Sequence, residues 1–161
     1  MKLFSFGNKK GVPAQESLYD DDLGQNRVFY VKDLGLVTQW YLVKRCEEEC
    51  YRSERYDRPL SFILIEPLAT TDTALVQRQV GAWVRKELRV TDIPARLSGG
   101  RYAALLIETS LEEATMIAGR LRAAVRNVRI GLSHFPEDGA TLDRLIAAAA
   151  NGLGEDTLQT A

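Results

Sequence analysis

Arg89 and Asp92 stand three apart at the head of RVTDIPARLSGGRYAALLIET, the stretch from Arg89 to Thr109. A guanidinium is a planar fork of N–H donors and an ionised carboxylate only accepts. A pair at this spacing reads either as a surface ion pair or as two halves of a ligand grip. Just downstream, Ser98, Gly99, Gly100, Arg101 and Tyr102 lie between two apolar runs, with no acid and no metal ligand among them. Ser98 has no histidine or lysine placed to activate it as a nucleophile. Cys46 and Cys50 share a helix face at i,i+4 spacing, but the one histidine, His134, is far away in sequence, so a metal site lacks its remaining ligands. The two cysteines read as reduced, half-buried thiols.

The elements that position these residues follow from periodicity. Leu36, Trp40, Val43, Cys46 and Cys50 step by three and four, which predicts an amphipathic helix that Pro59 ends. Leu60 to Ile65 is a nearly continuous apolar run and reads as a buried strand. Val76, Val80, Trp83 or Val84, and Leu88 mark a second helix, with Thr70, Thr71 and Asp72 as N-cap candidates. Ile93, Ala95 and Leu97 alternate, as do Tyr102, Ala104 and Leu106, and the Gly-Gly between them suits a tight hairpin. Ser110 to Glu113 is a capping box opening a third helix with the stripe Leu111, Ala114, Ile117 or Ala118, Leu121 and Val125. Val128 to Leu132 alternates as a fourth strand, PEDG turns the chain, and Leu142, Leu145, Ile146 and Ala149 line a last helix that Asn151-Gly152 should end. His134 reads as a plain loop residue, and Trp40 and Trp83 as core. The core order is strand, helix, strand, strand, helix, strand, with an extra helix at each end. That predicts an α+β fold of the ferredoxin-like, split βαβ type, with helices packed on a mainly antiparallel sheet.

At 161 residues, 45% hydrophobic and 27% charged, the chain fits one domain with its own core. Its formal net charge of −1 gives no general attraction to polyanions, so no nucleic-acid partner is expected. No apolar run reaches bilayer length, and Leu3, Phe4 and Phe6 are too few for a signal peptide, so a cytoplasmic location is expected. Residues 1–30, with the acidic run Tyr19 to Asp22, read as a flexible arm, 31–152 as the domain and 153–161 as a tail.

In this order the elements resemble a known family. DLGL (Asp33 to Leu36), RSERYDRPLSFILIE (Arg52 to Glu66), RVTDIPARLSGGRYAALL (Arg89 to Leu106) and IGLSHFPEDG (Ile130 to Gly139) are similar to the corresponding parts of a GGDEF domain. That is the diguanylate cyclase fold, a ferredoxin-like palm whose active members make cyclic di-GMP from two GTP. The resemblance spans about residues 33 to 151 and implies a degenerate member. SGGRY (Ser98 to Tyr102) falls where the signature should stand, with Gly100 at its first acid and Arg101 at its glutamate. Active relatives hold divalent metal between that first acid and an aspartate ending the first strand, where this chain has Glu66. Their substrate-gripping segment is replaced by the shorter PLATTDTALVQRQ (Pro67 to Gln79), and the hairpin between Asn127 and Val128 is trimmed. Phosphoryl transfer rests on metal electrostatics and positioning. The resemblance therefore implies no catalytic residues, no metal, no cofactor and no enzyme activity; residual cyclase or GTP binding through Glu66 is the weakest alternative.

The RxxD pair is different. In the family, RxxD five residues before the signature is an inhibitory site that binds cyclic di-GMP, usually as a stacked pair. Here five residues separate Asp92 from Ser98, and the family's second arginine falls at Arg120. Guanine O6 and N7 fit a guanidinium fork, its ring N–H and amino group fit a carboxylate, and arginine clamps the phosphates. The resemblance thus implies a cyclic di-GMP receptor built on Arg89, Asp92 and Arg120, with a ligand-bridged homodimer or a protein effector as partner. The alternative is a nucleotide-independent scaffold that binds an unidentified protein. Asp33 is expected to orient the first helix, and Arg96 to assist a phosphate or to be solvated.

Overall fold

In the structure, a computed structural model describing residues 29–31 and 34–159, one six-stranded sheet is covered by helices on both faces. The elements in chain order are β1 (Tyr30–Val31), β2 (Leu36–Thr38), α1 (Gln39–Tyr56), β3 (Leu60–Pro67), α2 (Thr73–Glu87), β4 (Ile93–Arg96), β5 (Tyr102–Ile107), α3 (Leu111–Ala124), β6 (Val128–Phe135) and α4 (Leu142–Gln159). The sheet order is β1-β2-β4-β5-β3-β6, and only β2 with β4 pairs in parallel. From β3 to β6 this is the expected split βαβ arrangement, with β3 between β5 and β6. Most of the arm, its acidic run and Asp33 lie outside the described residues.

Alternation along the strands divides the core. Phe62, Leu64, Ala95, Ala103 and Leu105 face α1 and α4, where they meet Leu42, Cys46, Leu142 and Leu145. Ile63, Ile65, Tyr102, Ala104 and Leu106 face α2 and α3, where they meet Val76, Trp83, Ala118 and Leu121. Two covered faces explain why the Leu60 to Ile65 run is apolar at nearly every position, since neither side of the strand meets water. Helix starts follow their caps. Asp72 Oδ1 accepts from the N–H of Ala74 at 2.9 Å and of Leu75 at 3.3 Å, and Ser110 with Glu113 closes the capping box.

Four expectations are corrected. Leu36 opens a strand and not a helix, because β-branched Val37 and Thr38 pair beside β4 and the Thr38 hydroxyl then caps α1 at Tyr41. The buried stripe of α1 is Leu42, Cys46, Glu49, Cys50 and Ser53, while Val43 is exposed. Leu111, in the first turn of α3, is also exposed. α4 runs through Gly152, since Leu153 is buried in the core and offsets the roughly 1 kcal/mol that a helical glycine costs.

Gly131 of β6 lets α4 approach: a Cβ there would lie 1.9 Å from the Ala149 carbonyl oxygen. The obstruction is backbone and has little room to yield. Gly131→Ala should therefore lose roughly 3 kcal/mol in urea denaturation; wild-type stability in that variant would show that α4 does not pack as described.

Candidate functional site

α2 ends at Glu87, and the turn that follows is organised by Asp92. Asp92 N–H donates to the Arg89 carbonyl at 3.0 Å, and Arg89 N–H donates to Asp92 Oδ2 at 2.9 Å. Asp92 Oδ1 accepts from Ile107 N–H, at the end of β5, at 3.2 Å. The carboxylate is only 2% exposed. A carboxylate withdrawn from water is tolerated when hydrogen bonds and opposite charge meet it. Here two main-chain donors do so, with Arg89 Nε 3.6 Å from Oδ2.

The Arg89 side chain runs along the same strand end. Its Nη2 donates to the Ile107 carbonyl at 2.9 Å and to Thr109 Oγ1 at 2.5 Å. The side chain is 55% exposed, so it borders solvent while its tip is engaged. Arg120 reaches this end of α2 through Glu87, its Nη1 lying 3.7 Å from Glu87 Oε2. Glu113 completes the group. Hydrogen bonds from the Ser110 backbone and side chain hold its carboxyl below the usual range, and the charge of Arg89 adds to that. The three residues expected from the sequence therefore belong to one end of the α2/α3 layer. Asp92 serves the turn, Arg89 lies against β5 and Arg120 is the most open. Thr109 and the Ile107 carbonyl escape sequence reading because their roles depend on which strand end faces the turn, whereas Glu87, which reads from the sequence as a neighbouring charge of a surface ion pair, pairs with Arg120. The one available signal for Thr109 was its place next to the capping box.

At the opposite end of the sheet, Arg96 pairs with Tyr102, Leu97 N–H donates to the Arg101 carbonyl at 2.8 Å, and residues 98–100 make a single tight turn. Gly99 and Gly100 have φ of +76° and +74°, the left-handed region that the Gly-Gly pair predicted. Ile65 pairs with Tyr102, so Glu66, one residue further on, stands beside this turn. Its Oε2 accepts from Arg129 Nη2 at 2.6 Å across the β3–β6 pairing. These residues do not fit a magnesium ion. The one carboxylate is engaged by a guanidinium, Gly100 brings no ligand, and among the described residues no cluster of three His, Cys, Asp or Glu side chains occurs.

The other candidates resolve into structure. Cys46 and Cys50 are free and buried, with their sulfurs 3.8 Å apart. Their hydrogen bond, and then burial, push the Cys46 thiol up, while the same bond lowers Cys50. His134 lies in β6, not in a loop, and its Nδ1 is 2.9 Å from the buried Ser61 hydroxyl. Trp83 is core, whereas Trp40 is half-buried. Beside the Asp92 turn a groove of about 300 Å³ is bounded by Tyr30, Tyr41, Arg45, Arg52 and Val90. The buried Glu49 carboxylate on its wall pairs with Arg45 at 3.1 Å and Arg52 at 3.5 Å.

The architecture is that of GGDEF domains, the diguanylate cyclase fold. A sensory box/GGDEF family protein from Caulobacter crescentus superposes with a TM-score of 0.63 at 20% identity, covering 78% of this chain and 95% of that one. The GGDEF domain of YfiN from Pseudomonas aeruginosa gives 0.65 at 20% identity, covering 80% and 88%. The GGDEF domain of DgcB from Caulobacter crescentus, in complex with c-di-GMP, gives 0.70 at 10% identity, covering 86% and 92%. At such identities the likeness is one of fold. No family profile matches the sequence, and no curated protein matches it. No helix of the described residues is long and apolar enough to cross a membrane.

Removing the Asp92 carboxylate strands two main-chain donors and frees Arg89 from its partner. Asp92→Ala should lose about 2–4 kcal/mol of stability, measured by urea denaturation. A loss within 0.5 kcal/mol of zero, roughly the range of an ordinary surface substitution, would mean that the turn does not depend on it.

Proposed function

We propose that this chain is a catalytically inactive GGDEF-type domain that receives cyclic di-GMP at the turn between α2 and β4. Arg89 and Arg120 meet the guanine edge and the phosphates, and Asp92 holds the turn that presents Arg89. The observation that carries this reading is the contrast between the two ends of the sheet. At the hairpin end the candidate metal ligand is neutralised by Arg129 at 2.6 Å. At the α2 end, two partly exposed arginines flank a turn locked by a buried carboxylate. Arginine is suited to this role because one planar group can fork onto a guanine edge or a phosphate. A neighbour in fold, the DgcB domain, is described in complex with c-di-GMP, which supports the ligand class.

A nucleotide-independent scaffold is the second reading. It is favoured by the internal use of Asp92, whose oxygens already accept from Arg89 and Ile107. One protein of similar fold, the diguanylate cyclase SiaD from Pseudomonas aeruginosa, is described in complex with its activator SiaC.

Calorimetric titration with cyclic di-GMP should give saturable heat for the wild type and none for Arg89→Ala. Absence of heat at high micromolar ligand would reject the receptor and leave the scaffold, and undiminished affinity in Arg89→Ala would remove the site assignment. Incubation with GTP and either magnesium or manganese should yield no cyclic di-GMP by chromatography. Product that disappears in Glu66→Gln would instead make the chain a cyclase.

A further inference from the structure

Arg89 is held where it cannot present a fork. A guanidinium has two bidentate edges, Nε with Nη2 and Nη1 with Nη2, and both use Nη2. Here Nη2 donates to the Ile107 carbonyl at 2.9 Å and to Thr109 Oγ1 at 2.5 Å. Nε faces Asp92 Oδ2. With Nη2 engaged, Nη1 lies outside these contacts, and its two diverging N–H groups do not form the parallel pair that reads a guanine edge or grips a phosphate bidentately.

The acceptors are fixed. Thr109 is 1% exposed, and its N–H donates to the Pro59 carbonyl at 3.1 Å. Its own carbonyl accepts from the Ser61 hydroxyl at 2.8 Å. Its hydroxyl donates to the Ile107 carbonyl at 2.9 Å, which leaves the Oγ1 lone pairs for Arg89. These groups are anchored to β3 and β5 and cannot follow the guanidinium outward. Arg89 can turn away from them, because more than half of its side chain borders solvent.

We infer that Thr109 and the Ile107 carbonyl form a latch that competes with nucleotide for Arg89. The inference rests on the reading of Arg89 as a nucleotide-binding residue and adds the element that sets its availability. Binding exchanges the two internal hydrogen bonds of Nη2 for two to the ligand, so affinity reports their difference. Thr109 is then a positioning residue: it touches no ligand and acts through Arg89.

The test is titration of cyclic di-GMP into the wild type, Thr109→Val, Thr109→Ser and Arg89→Ala. Thr109→Val keeps the shape of the side chain and removes the acceptor. It should bind about three- to tenfold more tightly, the equivalent of one net hydrogen bond. Thr109→Ser restores the hydroxyl and should match the wild type. If the wild type binds and a folded Thr109→Val binds equally or more weakly, the latch is wrong and the ligand site stands. If neither binds, the receptor reading fails and the latch falls with it. Nitrogen-15 spectra of arginine side chains in the unliganded wild type give a measurement that needs no variant. The Arg89 Nη2 protons should be protected from exchange, and a freely rotating guanidinium would overturn the latch.

Discussion

The Asp92 carboxylate, almost wholly removed from water, accepts one N–H from its own turn and another from Ile107, fifteen positions along the chain. A single side chain thereby fastens the end of a surface helix to the end of a central strand. The geometry of the whole corner follows. The Arg89 backbone is fixed by one carboxylate oxygen, its side chain lies along β5, and α3 begins four residues beyond that strand under its own cap at Ser110. Buried charge of this kind is unforgiving, since losing the carboxylate leaves the main-chain donors that converge on it without their acceptor. It is also specific, because a hydrophobic residue of equal size could fill the space without choosing which main-chain groups converge on it.

The sheet end at the 98–100 turn is built on a different principle. There a guanidinium from β6 stands against the carboxylate of Glu66, next to last in β3, and glycines turn the neighbouring hairpin without side chains. A fold whose relatives carry cyclase names thus ends, at this edge, in an ion pair internal to the protein. The two ends are separated by the full length of β5, whose Tyr102 and Ile107 mark them. The intervening residues, Ala103 to Leu106, are close-packed on both faces.

How far the sequence was legible depended on whether the signal was local. The apolar run at Leu60 to Ile65, the alternation on either side of Gly99-Gly100, the Asp72 cap and the Ser110 to Glu113 box are each complete within a few residues, and all are found in the structure. β1 and β2 were missed because two- and three-residue strands carry almost no periodicity and depend on β4 for their pairing. The register of α1 was misjudged because Glu49 and Ser53 occupy its inner face, and only Arg45, Arg52 and the Arg58 carbonyl make those polar residues tolerable there. At the candidate site, Arg89, Asp92 and Arg120 were visible as residue types at suggestive positions. That Asp92 turns inward and that Arg89 meets Thr109 depends on tertiary register, which no local spacing encodes.

The pairing of Glu66 with Arg129 reaches beyond its own edge of the sheet. A strand end whose negative charge is balanced by a neighbouring residue has its counter-charge written into the chain. Because Glu66 and Arg129 stand opposite each other in the β3–β6 register, a slip of one residue would turn one of the two charges to the other face of the sheet and break the pair.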